Sequence, residues 1–449
     1  MSNKIIFYSA QNSNRLQYII QLVFTEMLGW DVFFTQNEKA YLDSTLPKVQ
    51  YGDEKISDDG FFIEATHSLI FSQRDASGSN IIIKRDFEKE FHQLDIFSRI
   101  FVMVSRYEEY IADPSVFDRH QRFSASQSFA SKLDILRQPV VNQWIINLKN
   151  VLIQKYPHLK STSPNTEFGL QLTYDIDQAW AFKHKGFFRN IGGMLRDFFQ
   201  LNFKNAFNRL AVILSISNDP EFTFDYIDKL HKKHENKINT PIFFWLLGDY
   251  GEFDKNIAWE NKNLQHLIRR ILKKYDIGIH PSYGSNADFS ILKNEIARLN
   301  KITQFPNHPI TQSQNHLITK SRQHYLKLTF PNTYRRLIQA GIKEDYSMGY
   351  ADDIGFRAGI ATSFYWYDLE NEQVTHLKIH PFQVMEVTLM EYLKLTPNEA
   401  IEQVKPLIDA TKAVGGTFTT LWHNSTLSKN ESDNWREIYE KLIEEAISD

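Results

Sequence analysis

At 449 residues the chain exceeds what one ordinary core encloses, so two domains are expected, and 42% apolar with 23% charged residues is the balance of a globular protein. A formal net charge of −3 argues against a general nucleic-acid binder, which carries a basic field. With no cysteine, a disulfide scaffold, a thiolate nucleophile and a thiolate metal site are all excluded.

Aromatic residues make up 14%, enough for core packing and for platforms on which sugars stack. The opening "MSNKIIFYSAQNSNRLQ" has an apolar run of only four residues, short of a signal-peptide core, and no run approaches 18 apolar residues. The expectation is a cytoplasmic chain without a transmembrane segment.

Residues 1–155 read as a mixed α/β domain. "IIFYSA" and "FFIEATHSLIFS" have strand character, and Phe87, Phe91, Leu94, Phe97, Phe101 and Val104 recur at helical spacing. "SRYEEY" (105–110) ends that helix and "DRHQRFSASQS" (118–128) follows as a loop. Arg106, Glu108, Glu109, Asp118, Arg119 and Arg122 are expected to form a surface salt-bridge cluster rather than a binding site. "YPHLKSTSPNTE" (156–167), polar and with two prolines, is the predicted linker.

From 168 onward short apolar runs alternate with helical patterns: "FGLQLTY", "PIFFWLLG", "DIGIH", "HLITKS", "GIKED", "FQVMEV" and "GTFTTLW". Such alternation predicts a parallel sheet, and seven strands with helices outside suggest a barrel, complete or incomplete. Between the first two runs, 183–209 holds six Lys/Arg and one Asp interleaved with Phe. It reads as a basic amphipathic segment making peripheral contact with a membrane or an acidic glycan, or as a cap whose Phe face packs on the barrel.

Polar residues follow nearly every run: Asp175 and Asp177, Asp249, His280, Arg322 and His324, Asp345, Glu386, then His423 and Asn424. In a parallel α/β barrel functional groups sit at the C-terminal strand ends. Two carboxylates two residues apart in a partly dry cleft require a cation or a shared proton. Carboxylate and imidazole are natural ligands for Zn²⁺ and similar ions, and a free carboxylate and a His beside them can move protons, which is the chemistry of metal-assisted hydrolysis.

"LTYDID" resembles the first motif of the polysaccharide deacetylases (carbohydrate esterase family four, the nodulation-type deacetylase homology domain), which carries an Asp base and an Asp metal ligand. "DIGIHPSYGS" (276–285) resembles the second motif. "SRQHYLKL" (321–328) and "EDYSMGYADDIGFRAG" (344–359) stand in the places of the third and fourth, and "TLWHN" (420–424) resembles the fifth. The match covers about 168–425. The combination is similar to a Bacteroidetes-type subgroup with an N-terminal domain of comparable length and unknown role.

The resemblance implies a distorted (β/α)7 barrel over 168–449 that hydrolyses linear amide bonds, removing N-acetyl groups from a GlcNAc-type polysaccharide, oligosaccharide or cell-wall or capsule precursor. It makes Asp175 the base, Asp177 and His280 metal ligands, Arg322 the residue that steadies Asp175, and Asp345 the residue that tunes His423, the general acid. The family's second motif has another His four residues after the first; here that position is Gly284. His324, two residues beyond Arg322, is the expected third ligand, with His380 a more remote candidate. The metal is expected to be Zn²⁺, with Co²⁺, Ni²⁺ or Mn²⁺ as alternatives. Arg357 in "GFRAG" either faces an anionic substrate or belongs to a tight turn. Two other readings stay open: a carbohydrate-binding pseudoenzyme, and a metal-independent C–N hydrolase on a related barrel. A cytoplasmic enzyme would meet a nucleotide- or lipid-linked precursor, and 183–209 would hold it near anionic lipids. Oligomeric state is left open.

Overall fold

The computed structural model describes residues 3–66, 68–71, 91–160, 167–304, 317–429 and 434–448. The first sheet holds β1 (Lys4–Tyr8), β2 (Asp31–Thr35), β3 (Lys48–Gly52) and β4 (Phe61–Glu64) in the order β2-β1-β3-β4, all parallel. β1 is a largely apolar run and β3 (KVQYG) is buried too, its Lys48 and Gln50 included, as central parallel strands are buried on both faces. The second half of the predicted strand 61–72 is instead a 3-10 turn at Ser68–Ile70.

The second sheet holds nine strands: β5 (Gly169–Ile176), β6 (Ile242–Trp245), β7 (Asp276–Ile279), β8 (Lys320–Ser321), β9 (Glu344–Asp345), β10 (Phe364–Asp368), β11 (Gln373–Ile379), β12 (Val384–Met385) and β13 (Thr417–His423). Their order is β10-β11-β9-β8-β7-β6-β5-β13-β12, parallel throughout except for the β10–β11 hairpin. The seven expected strands are all present, although His316 of the fourth run lies outside the described residues. Among the described residues no ladder joins β10 to β12 at the ends of this order, although backbone bonds from Phe382 N to the Met348 carbonyl at 3.0 Å and from Gly355 N to the Gln383 carbonyl at 2.9 Å bring the segment after β9 against β12, as in a barrel-like α/β fold. The β10–β11 hairpin was not predicted, although "FYWYD" is aromatic-rich and the polar turn "ENEQ" follows it. Gly278 lets β6, β7 and β8 come together: a Cβ there would lie 2.5 Å from the Phe244 ring and 2.8 Å from the Lys320 carbonyl.

One cluster of buried apolar residues runs through both sheets, from Ile5 and Phe97 to Trp245 and Trp422. Helix α1 (Asn14–Ile20) and helix α2 (Ile96–Val104) lie in it; of the helix expected over 87–104, residues 87–90 lie outside the described residues, Phe91–Gln93 is a 3-10 turn, and α2 starts only at Ile96, capped by Asp95. Helix α3 (Val140–Lys155) follows. Residues 156–160 of the predicted linker are tied back, with Trp30 donating to the Lys160 carbonyl at 2.9 Å and Tyr156 to that of Lys48 at 2.9 Å.

The "SRYEEY" cluster is not at the surface. Arg106, Glu108 and Glu109 are buried, and Arg106 adopts a left-handed φ of 54° where α2 ends. Arg106 Nε donates to Glu109 at 2.8 Å, and Glu109 also accepts from Arg357 Nε at 3.0 Å and Nη2 at 2.6 Å. Arg106 also bonds the Arg357 carbonyl. A charge buried this deeply is tolerated only when paired. Arg357 therefore faces the α2 segment, not an anionic substrate. A second buried pair, Arg15 with Glu372, joins α1 to the β10–β11 turn.

The segment 183–209 folds as helix α4 (Phe187–Phe199) and helix α5 (Phe203–Ile213). Its Phe side chains face outward, so it is not a cap with an inward Phe face. Among the described residues no helix is long and apolar enough to cross a membrane.

Candidate functional site

Parallel pairing puts the C-terminal ends of β5, β7, β8 and β13 at one edge of the sheet. Along β5 the side chains of Leu170, Leu172 and Tyr174 share one face while Thr173 and Asp175 share the other. β5 and β13 are in register so that Asp175 pairs with His423. His280 follows β7, Arg322 and His324 follow β8, and Asp177 follows β5. Six residues far apart in sequence thereby meet.

Asp177, His280 and His324 each present one ligand atom, and these atoms lie within 4.8 Å of one another. His280 Nε2 is 3.3 Å from Asp177 Oδ1, and His324 Nε2 is 3.6 Å from Asp177 Oδ2. The far side of each ring decides its tautomer. His280 Nδ1 meets the Arg322 carbonyl at 2.6 Å, and a carbonyl can only accept, so Nδ1 carries hydrogen. His324 Nδ1 meets Asp254 Oδ1 at 2.9 Å, with the same consequence. In the neutral rings both Nε2 lone pairs then point at Asp177, the arrangement in which outer partners orient metal-binding imidazoles. His280 Nε2 and Asp177 Oδ1 are buried and make no hydrogen bond, although buried polar atoms are rarely left so.

Two further groups flank the triad. Asp175, nearly fully buried, lies 3.3 Å from Arg322 Nη1, which also donates to Thr173 Oγ1 at 2.6 Å. His423 Nδ1 contacts Glu386 Oε1 at 2.7 Å, and its Nε2 faces Asp177 at 3.9 Å. Glu386 Oε1 also accepts from the His423 backbone N–H at 2.7 Å.

The charges follow from these contacts. Burial works against ionisation of Asp177, but His324, His280 and His423 hold its carboxyl well below the usual range. Burial would lower His324; Asp177 and Asp254 outweigh it and raise the imidazole to about 9. Burial opposes the charge of His423 as well, yet Glu386, then Asp177 and Asp175, raise it to about 10.

Asp345 was expected to tune His423, but the carboxylate on His423 Nδ1 belongs to Glu386. Asp345 instead accepts from Ser321 Oγ at 2.8 Å and from Ser347 N at 2.9 Å, and burial pushes it up to about 6 despite those bonds. Asp345 ends one short strand and Glu386 follows another, and sequence spacing does not separate them. Gly284 opens a 3-10 turn, and the second imidazole comes from His324. His380 stacks on Tyr346 with ring centroids 4.4 Å apart, 3.1 Å from Glu344, away from the triad. Asp249 is exposed and paired with Arg298 at 2.9 Å. Asp254, five residues later, carries no signal in the sequence beyond being the third acid of the loop, after Asp249 and Glu252.

The chain leaves His324 through strained backbone: Tyr325 and Leu326 have φ of 58° and 53°. Tyr325 belongs to an aromatic wall with Phe253 and Tyr283, whose rings stack at 4.2 Å. His120, from the loop expected to carry only surface salt bridges, packs on Tyr325 at 4.9 Å, and Arg122 bonds the Tyr325 carbonyl at 3.2 Å.

Residues 5–157 match a family of unknown function, DUF7033. No curated protein matches the chain. Among solved structures, a "putative polysaccharide deacetylase from Mycobacterium smegmatis" is 12% identical with a TM-score of 0.39, over 64% of this chain and 86% of that one. A 4-alpha-glucanotransferase from Thermococcus litoralis is 12% identical with a TM-score of 0.34, over 63% of this chain and 38% of its own length.

Proposed function

We propose that the chain is a metal-dependent hydrolase of the polysaccharide deacetylase type that removes N-acetyl groups from a GlcNAc-type saccharide or glycan precursor. The observation that carries this reading is the convergence of His280 Nε2 and His324 Nε2 on Asp177, with both Nδ1 atoms engaged by outer acceptors. One carboxylate and two imidazoles suit Zn²⁺, with Co²⁺, Ni²⁺ and Mn²⁺ close behind. Asp177, His280 and His324 would hold such an ion, which when bound would supply Lewis acidity for the amide carbonyl and the attacking water.

The other groups divide the proton work. Asp175, held beside Arg322, takes the proton from the attacking water as general base. His423, cationic because Glu386 and the two aspartates favour its charge, donates from Nε2 to the departing amine nitrogen. The N-acetylated amine and water thereby become acetic acid and the free amine: Asp175 gains the proton lost by water, His423 gives its proton to the amine nitrogen as the C–N bond breaks, and a proton passes from Asp175 to His423 through solvent before the next turnover, the acid ionising to acetate once released. The aromatic wall of Phe253, Tyr283 and Tyr325 offers faces for a sugar ring. Residues 1–155 form the N-terminal unit in this proposal and lend His120 to that wall, while the nine-stranded sheet is an opened form of the (β/α) barrel.

The test is metal content by elemental mass spectrometry on protein purified without metal resin, followed by acetate release from acetylated glucosamine oligomers. The expected result is near-stoichiometric metal in the wild type and loss in Asp177→Ala, His280→Ala and His324→Ala. Wild-type protein that holds no metal after incubation with Zn²⁺ overturns the proposal.

A further inference from the structure

Helices α4 and α5 pack on each other as a hairpin that turns its apolar side chains away from the body of the protein. Phe188 is 88% exposed, Phe199 86%, Leu201 75% and Ile216 76%. On α4 the buried residue is not apolar but Asp197, which receives Arg209 Nη2 of α5 at 2.9 Å. Gly193 makes room for this crossing, since a Cβ there would lie 2.7 Å from the Arg209 guanidinium. The hairpin is tied to the body by polar contacts, with Arg189 donating to the carbonyls of Asn256 at 3.0 Å and Lys255 at 2.9 Å. Internal polar pins with apolar groups outside are the reverse of a surface helix that ends in water. So large an apolar surface marks an interaction site.

Charge selects the partner. The segment 183–209 has six Lys/Arg, and its single Asp is neutralised internally by Arg209. A cleft of about 1460 Å³ opens at the base of the hairpin, lined by Lys185, Arg196, Lys204 and Lys255. It extends to Gln178 and Ser425, which adjoin Asp177 and Asn424 in the chain. Arg196 and Lys204 have no ion-pair partner among the described residues. Two copies meeting through this face would bring like charges together. An anionic bilayer offers acyl chains to the Phe and Leu side chains and phosphates to the basic groups. Helices of 13 and 11 residues are too short to span it and suit its interface.

We propose that the α4–α5 hairpin docks the protein on an anionic phospholipid surface, its apolar face in the interface and the basic cleft against the headgroup phosphates. This goes beyond the hydrolase reading and does not rest on it.

The experiment is co-sedimentation of the full-length protein, in chelator, with vesicles of phosphatidylcholine and phosphatidylglycerol at 3:1 and of phosphatidylcholine alone. Wild type is expected to bind the anionic vesicles at 50 mM NaCl and at least tenfold more weakly at 500 mM. Phe188→Ser/Phe199→Ser/Leu201→Ser, whose side chains support no core, is expected to lose at least tenfold while keeping the wild-type melting temperature. Arg196→Ala/Lys204→Ala should lose a similar factor on anionic vesicles only. The proposal is overturned if wild type does not bind at low salt, or if the triple variant binds as wild type does. It is equally overturned if wild type is a dimer by light scattering, the triple variant is a monomer and neither binds vesicles, which would give the face to a second copy. Because chelator is present throughout, a failed hydrolase reading leaves this result unchanged.

Discussion

Asp254 touches no substrate in the proposed site, yet it should govern metal affinity. Its Oδ1 accepts from His324 Nδ1 at 2.9 Å and from the Tyr283 backbone N–H at 3.0 Å, and the residue is only 8% exposed. It therefore fixes the His324 tautomer and ring orientation and makes Nε2 more basic. Loss of such an outer partner weakens metal binding by about 10–100-fold, or about 1.4–2.7 kcal/mol. In Asp254→Asn the amide oxygen can still accept both hydrogens but carries no charge, so the expected loss is roughly tenfold. In Asp254→Ala the ring loses its orienting partner as well, and the loss should approach 100-fold, at the upper end of that range. The assay is competition for Zn²⁺ against a chromophoric chelator at fixed pH, with melting temperature as a check on folding. Asp249→Asn, an exposed acid in the same loop, is the control and should bind as wild type does. A folded Asp254→Ala protein whose Kd stays within twofold of wild type would refute the assignment of His324 as a ligand held by Asp254.

Glu386→Gln should lower kcat for acetate release by roughly 10–100-fold with little change in KM, because general-acid catalysis contributes about 10²–10⁴-fold and His423 would keep its place but lose its charge partner; an unchanged kcat counts against His423 as the acid. Glu109→Ala leaves the buried guanidinium of Arg357 without a carboxylate, while Arg106 keeps Glu108, and should cost about 3–5 kcal/mol. At an unfolding entropy of about 2.1 cal/mol/K per residue that is a fall of about 3–5 °C in Tm if the chain unfolds as one unit, readable by calorimetry, and a shift under 1 °C would contradict the network. Burial would raise the Glu344 carboxyl, but His380 and Lys320 lower it from 4.5 to about 2. Because the folded pKa is the lower one, the stabilisation is complete above pH 4.5 and is lost as pH falls towards 2. Glu344→Gln should remove on the order of 1 kcal/mol at pH 7, because the pair is partly exposed and His380, whose pKa burial lowers, is neutral there, and should flatten urea-derived stability across that acid window; superimposable curves would refute it.

The alternation of apolar runs with helical patterns was enough to find the parallel strands, since burial of both faces writes itself into a continuous run of residues. The edge hairpin β10–β11 is written more weakly, its aromatic "FYWYD" being followed at once by a polar turn and a mixed strand. Local pattern also placed Asp175, Asp177, His280, Arg322, His324 and His423 just past strand ends, and parallel pairing carried all of them to one edge. Pairing across the fold was a different matter. Whether Asp345 or Glu386 meets His423 depends on the strand order: β12, which leads into Glu386, neighbours β13, while β9, which ends in Asp345, lies four strands from β5 on the other side. The same holds for Arg106 and Glu109, whose neighbour Arg357 is about 250 residues distant, so spacing could not distinguish a buried network from a solvated one. Composition identified 183–209 as basic and Phe-rich, but the direction its Phe side chains face follows from the Asp197–Arg209 pin between the two helices. Periodicity specifies which residues share a face of one element; which face meets which depends on register and packing between elements, and these exist only once the chain has folded.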